Sequence, residues 1–184
     1  GNVYVADLAT DAGDIVIPVV ASMIGADMKT LTIPLTGLAE MTTYTVTIDP
    51  AAIKDEAGNL FMGIVDGDIW NFTTIDATAP VVTVVAATVT NVDGSASLTR
   101  DEVGAVYLVH STVASDMAAI TAAVAAKKAV AGMVTTPNVN VTVSTVGLVA
   151  GTYRGVAIDA AGNKGESTDK VVVEDVVVVT YPVH

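Results

Sequence analysis

A motif that occurs once in each half of this 184-residue chain constrains its fold more than any other feature. Each copy has a leucine, a short polar turn, a Thr-Tyr pair that opens a strand of alternating residues, and a closing Gly-Asn. Leucine and tyrosine in this order are typical of a tyrosine corner, in which the tyrosine hydroxyl bonds to backbone a few residues upstream in a β-sandwich. The copies run from Leu38 through Tyr44 to Asn59 and from Leu148 through Tyr153 to Asn163. The repeat predicts two tandem sandwiches, with Tyr44 and Tyr153 in structural roles.

Composition agrees with an all-β chain. Hydrophobic residues make up 52% of the sequence and aromatic residues only 4%, so the apolar content is mostly aliphatic. Valine, isoleucine and threonine are enriched in pleated sheets that pack face to face. We therefore expect two immunoglobulin-like β-sandwiches, over residues 1–76 and 77–174, joined by a linker at residues 75–80.

The alternating runs and one alanine-rich stretch predict the individual elements. The strands of the first domain are expected over 3–6, 15–20, 30–34, 44–48 and 69–74, with Trp70 and Phe72 in its core. Those of the second are expected over 81–85, 95–98, 105–109, 138–144, 153–158 and 170–174. A single inserted helix is expected over about 115–131, with Ser115 as its N-cap and Gly132 as its C-cap.

Charge and motif content argue against several classes of function. The chain has 8 Lys and Arg against 20 Asp and Glu, a net charge of −12, which disfavours nucleic acid as a partner. There is no cysteine, and no nucleophile elbow or phosphate loop is recognisable. The apolar stretch 118–130 is too short to span a membrane and contains two lysines, so we expect no membrane insertion. We expect no enzyme activity.

Oxygen-bearing side chains near the two Gly-Asn turns leave calcium binding open. Calcium takes carboxylate and amide oxygens as ligands, but the regular spacing of an EF-hand loop is absent. The alternative is that these residues only shape hairpin turns by accepting hydrogen bonds from backbone amides. The candidate calcium ligands are Asp55, Asn59, Asp66, Asp68, Asp159 and Asn163.

Two stretches resemble known families. The first half has a pattern similar to the bacterial Ig-like domain of the Big_5 type, carried by Thr43–Val46, Lys54–Asn59 and Trp70–Thr74. The second half resembles the Ig-like repeats of S-layer and S-layer-associated proteins, through 106–109, the alanine-rich stretch and 147–163. These resemblances imply an extracellular, non-catalytic component of a surface assembly: an S-layer, an adhesin stalk or a filament. The alternative is a secreted binding module that recognises carbohydrate or protein.

The resemblance also implies that the two domains are unequal. A complete domain of the first type opens with a proline-ended strand and a second strand that precede the point at which this chain begins. Residues 176–183 form an apolar, proline-containing run beyond the expected close of the second domain at Glu174. Either the chain is a piece of a longer array, or this run completes the first domain of a head-to-tail neighbour. In the second case the subunit contacts are Val176, Val177, Val178, Val179 and Tyr181.

Overall fold

The fold is almost entirely β-structure. The structure, a computed structural model, describes residues 1–10, 14–66 and 70–176. The chain divides into two compact units, Gly1–Asp76 and Ala77–His184. The described residues form β-sheets and a single α-helix, which confirms the predicted fold class of tandem Ig-like sandwiches with one helix.

The first unit is built on one antiparallel sheet. Its strands, in the order β2-β1-β3-β4, are β1 (Asn2–Asp7), β2 (Ile15–Pro18), β3 (Thr43–Ile48) and β4 (Asn71–Thr73). Alternate residues of β1 and β3 are buried on one face, since successive side chains of a strand point to opposite sides. This buried face consists of Val3, Val5, Tyr44, Val46 and Ile48.

The opposite layer of the first unit contains an extended segment, residues 31–36, that carries no ladder. Leu31, Ile33 and Leu35 pack on the buried face of the sheet but stay partly exposed. Among the described residues, this segment pairs with another part of the chain through one isolated β-bridge, from Leu31 to Ile24. The prediction of a regular strand over 30–34 was therefore wrong, because the alternating pattern is present but the segment has no neighbouring strand.

The second unit has two sheets of three and five strands, in the orders β10-β7-β5 and β6-β12-β11-β8-β9. β6 runs parallel to β12, and the other pairs are antiparallel. The core lies between the sheets and includes Leu98, Leu108, Tyr153 and Val171. The bounds are β5 (Val82–Val84), β6 (Ala87–Thr90), β7 (Ser95–Arg100), β8 (Gly104–His110), α1 (Met117–Ala125), β9 (Ala129–Val134), β10 (Val141–Ser144), β11 (Gly151–Ile158) and β12 (Lys164–Glu174).

The two units share one sheet order. Strands β2-β1-β3-β4 of the first correspond to β9-β8-β11-β12 of the second, with the tyrosine corners on β3 and β11. Segment 31–36 corresponds to β10, because each precedes a turn glycine with nearly the same backbone angle, φ 74° at Gly37 and 75° at Gly147. No described residues of the first unit correspond to β5, β6 or β7.

The helix and one aromatic position differ from the sequence-based prediction. Helix α1 is shorter than 115–131, and its N-cap is Asp116, whose carboxylate accepts from the Ala119 amide at 2.8 Å. Lys127 adopts a left-handed φ of 59°, and Gly132 lies inside β9 instead of capping the helix, because 129–134 pair with β8. Trp70 is 40% exposed, so its predicted burial in the core was wrong.

Both corner tyrosines bond to backbone upstream. The hydroxyl of fully buried Tyr153 donates to the Val149 carbonyl at 2.5 Å. The Tyr44 hydroxyl instead accepts from the Ala39 amide at 2.8 Å. Each contact ties a loop to the strand that follows it.

Removing the Tyr153 hydroxyl tests the value of this contact. We expect Tyr153→Phe to lower the free energy of unfolding by about 1 kcal/mol, because the carbonyl of Val149 loses its donor. Tyr4→Phe is the control, since its hydroxyl makes only long contacts: it accepts from the Asn2 side chain at 3.3 Å and donates to Asp49 at 3.5 Å. We expect a change within roughly 0.5 kcal/mol. Denaturant unfolding followed by circular dichroism measures both, and equal effects would contradict the assignment.

Candidate functional site

An apolar groove in the first unit is the surface feature that the sheet leaves uncovered. It encloses about 300 Å³ between the sheet and segment 31–36. A larger depression of about 600 Å³ elsewhere in this unit is lined by a mixture of charged and apolar residues. The lining of the groove, in contrast, is apolar throughout: Val5, Leu31, Ile33, Leu35, Val46, Trp70 and Phe72.

The groove lies where the second unit holds a strand. In that unit, β7 runs beside β10 and buries Ala96 and Leu98 against the opposite sheet. The β10 residue Val143 is then only 4% exposed, whereas Ile33, its counterpart on segment 31–36, is partly exposed. Fully burying a Leu, Ile or Phe side chain stabilises by about 1.5–3 kcal/mol. A strand laid in the groove would therefore gain a favourable apolar contact at several positions.

Segment 31–36 also offers a free backbone edge. The Thr32 amide donates to the Met23 carbonyl and the Gly25 amide donates to the Thr30 carbonyl, both at 2.8 Å. Since backbone groups of successive residues in an extended chain point to opposite edges, those of Leu31, Ile33 and Leu35 point away from residues 23–25. Within the described ranges, no hydrogen bond from these three amides is found. This edge can accept another strand.

The sequence did not identify these residues as a site. The Leu31-x-Ile33-x-Leu35 alternation was assigned to an ordinary core strand, and Trp70 to the core. The available signal was the mismatch between the two halves, because the first half lacks the strands that would cover this alternation. Val176 is exposed, and the other predicted subunit contacts, Val177, Val178, Val179 and Tyr181, lie outside the described residues.

The two Gly-Asn turns use their carboxylates internally. Both oxygens of Asp55 accept from Asn59, one from its amide and one from its side chain, each at 2.8 Å. Asp159 and Asn163 repeat the same two bonds at the same distances. This is the turn geometry that was the alternative to calcium binding.

The structure brings no larger acidic group together in its described ranges. No cluster of three or more His, Asp or Glu side chains suited to a metal is found there. Asp68 lies outside those ranges, and Asp66 is exposed near the end of residues 14–66. Calcium binding at these residues stays a prediction.

Hydrogen bonding lowers the pKa of both turn aspartates. The side chain of Asn59, followed by its amide, holds the pKa of Asp55 below its ordinary value. Burial raises the pKa of Asp159, but the bonds from the Asn163 side chain and amide outweigh that effect and leave the pKa lowered. The charged form of each carboxylate is therefore stabilised by the folded turn.

Other charged side chains are also engaged in structural contacts. The Arg154 guanidinium donates to Glu166 at 2.8 Å, to the Val113 carbonyl at 2.8 Å and to the Ser115 hydroxyl at 2.6 Å. These bonds hold the segment before helix α1 against β11 and β12. Arg100, 3% exposed, pairs with Glu102 at 2.8 Å. They fix loops and show no reactive geometry.

The comparison with protein families places the groove in a known kind of domain. Residues 2–74 match the family described as bacterial Ig-like domain. Bacterial Ig-like domains are often found on the cell surface, and the fold is typically non-catalytic. No curated protein matched the chain. None of the helices in the described ranges has the length and apolarity needed to cross a membrane.

The turn contacts predict a pH dependence that can be read residue by residue. We expect Asn59→Ala to raise the pKa of Asp55 towards its ordinary value and to leave that of Asp159 unchanged. Because the folded turn lowers the pKa of each aspartate, it stabilises the fold when the pH lies above the aspartate pKa of the unfolded chain. That stabilisation is lost as the pH falls through the folded pKa, which occurs below about pH 4. Carboxyl-carbon NMR titration measures both groups. An unchanged Asp55 pKa in Asn59→Ala would show that the bond to Asn59 has no effect on it.

Proposed function

We propose that the chain is a non-catalytic structural component of an extracellular surface assembly, and that its copies join head to tail through residues 176–183. The joint is formed when this run enters the first unit of the next copy and adds a strand beside segment 31–36. The observation that carries the proposal is the apolar groove beside an unpaired edge, at the position where the second unit holds β7.

The composition of the C-terminal run supports its role as the inserted strand. Residues 176–183 are mostly valine and contain no charged side chain, although the chain as a whole has a net charge of −12. The sheets of the second unit already contain β5 to β12 and end at Glu174. The run follows the last described strand of the second unit, and its lack of charge suits an uncharged groove.

Deleting the run tests the proposal. We expect the full chain to form oligomers that grow with concentration, and a chain ending at Asp175 to remain a monomer, because it retains the groove and loses the strand. Size-exclusion chromatography with light scattering and negative-stain microscopy measure this. Met62→Ser, which removes another highly exposed apolar side chain, is the control and should assemble normally. A full chain that stays monomeric at every concentration would contradict the proposal.

Ionic strength supplies a second test of the same joint. Copies with a net charge of −12 repel one another at low salt. Added salt screens the repulsion between charges that lie farther apart than the Debye length, which is about 10 Å at 0.1 M. Because the joint itself is apolar, we expect salt to strengthen assembly. Light scattering across a salt series measures the effect, and dissolution of the oligomers by salt would indicate a joint held by ion pairs instead.

A secreted binding module is the second candidate, and Trp70 favours it. An indole that is 40% exposed beside Phe72 offers a flat surface on which a sugar ring or an apolar side chain can stack. Trp70 is the only tryptophan, so its fluorescence reports directly on this surface. Saturable changes on adding oligosaccharides, in a chain that does not assemble, would favour this candidate over the structural one.

A further inference from the structure

We infer that the groove admits the incoming strand in one direction and with one face of the strand turned inward, an inference that rests on the proposed function. The acceptor is the free edge of segment 31–36 in one copy. The strand that enters is 176–183 of a second copy, and it runs antiparallel to that segment. The side chains that face the cavity are those of Val177, Val179, Tyr181 and Val183.

The second unit supplies the direction. There, β7 pairs antiparallel with β10, and Val141 and Val143 lie opposite Leu98 and Ala96. Aligning the equivalent turn glycines, Gly37 and Gly147, places Leu31 and Ile33 at the positions of Val141 and Val143. A strand that takes the place of β7 in the first unit is therefore antiparallel to segment 31–36.

The backbone of segment 31–36 relates the residues of the incoming strand that bond to the edge to those that fill the cavity. Leu31, Ile33 and Leu35 direct both their side chains to the cavity and their backbone amides to the free edge. In an antiparallel pair, directly opposed residues project their side chains to the same face. The residues of the incoming strand that bond to this edge are therefore the same ones that fill the cavity.

Two prolines determine which alternate residues of the incoming strand face inward. A proline has no amide to donate, so it is tolerated only where its nitrogen faces away from the pairing edge. Pro34 meets this condition, because it alternates with Ile33 and Leu35. Pro182 meets it only if 177, 179, 181 and 183 face inward. The opposite register would place Pro182 against the edge and would turn Thr180 into the apolar cavity.

The identity of the incoming strand is argued from its charge and from its place after the last described strand of the second unit. The cavity wall has no charged side chain to pair with a charge, and an unpaired buried charge is strongly unfavourable. Residues 176–183 have no charged side chain, and the last described strand of the second unit ends before them, at Glu174. A second copy of this chain therefore provides a strand that matches the groove in polarity and proline position.

A matched pair of substitutions tests the register in the full chain. Val179→Glu and Val178→Glu add the same charge one residue apart, on opposite faces of the strand. We expect Val179→Glu to weaken assembly roughly 100-fold, because it drives a carboxylate into the cavity, and Val178→Glu to assemble within about twofold of the wild type. Light scattering measures assembly, and the emission of Trp70 shows whether the groove is covered.

A peptide of residues 175–184 checks that the weakened variant still folds with a working groove. Added to Val179→Glu, the wild-type peptide should shift Trp70 emission to the blue, and a peptide carrying Val179→Glu should not. This response uses the intact chain and does not depend on polymer formation.

The outcomes separate this inference from the proposed function. If both Glu variants assemble like the wild type, the groove is not the joint, although assembly itself stands. If only Val178→Glu fails to assemble, the register is the reverse of the one inferred. A monomeric wild type whose Trp70 ignores the peptide overturns the proposed function together with the inference. A monomer with Trp70 already covered, and uncovered by Val179→Glu, shows that the chain's own run fills the groove and overturns the second-copy assignment.

Discussion

Each sandwich depends on two conditions. A second layer must cover the apolar face of the sheet, and the backbone groups of that layer must find hydrogen-bond partners. The second unit meets both conditions, because β7 lies between β5 and β10 and buries its alternate residues in the core. The first unit meets them only in part. Its sheet has counterparts of four of the five strands among the described residues. Segment 31–36 pairs along one edge and leaves the other edge and the adjoining apolar face open. The proposed assembly follows from that difference between two otherwise similar units.

The polar residues support this emphasis on backbone and apolar contacts. Asp55 and Asp159 accept bonds from the asparagines of their own turns, and Arg154 binds loop carbonyls and Glu166. These side chains set the turns and loops at the ends of the strands. The acidic surface that remains favours solubility of a single copy and opposes association at low salt. The proposed joint between copies would therefore gain its stability from buried apolar surface and strand pairing.

The sequence predicted the strongly periodic elements and missed those that depend on neighbours. Tyr44, Val46 and Ile48 alternate over a full strand, and the repeated motif located both corners. The end of helix α1 was placed too late because the alanine-rich pattern continues into β9, where pairing with β8 decides the structure. Segment 31–36 has the alternation of a strand, and no sequence pattern shows whether a partner lies beside it. Trp70 was assigned to the core for the same reason, since its burial depends on a strand that the first unit does not contain among its described residues.

Hydrogen–deuterium exchange at the amides of Leu31, Ile33 and Leu35 is a direct test of strand insertion, because these are the groups that the incoming strand must bind. Strand insertion predicts that the amides of Ile33 and Leu35 exchange quickly in a chain ending at Asp175 and become strongly protected in the assembled full chain. Thr32 is the internal control, because its amide already donates to the Met23 carbonyl and should exchange alike in both. Equal exchange of Ile33 and Leu35 in the two chains would contradict strand insertion at this edge.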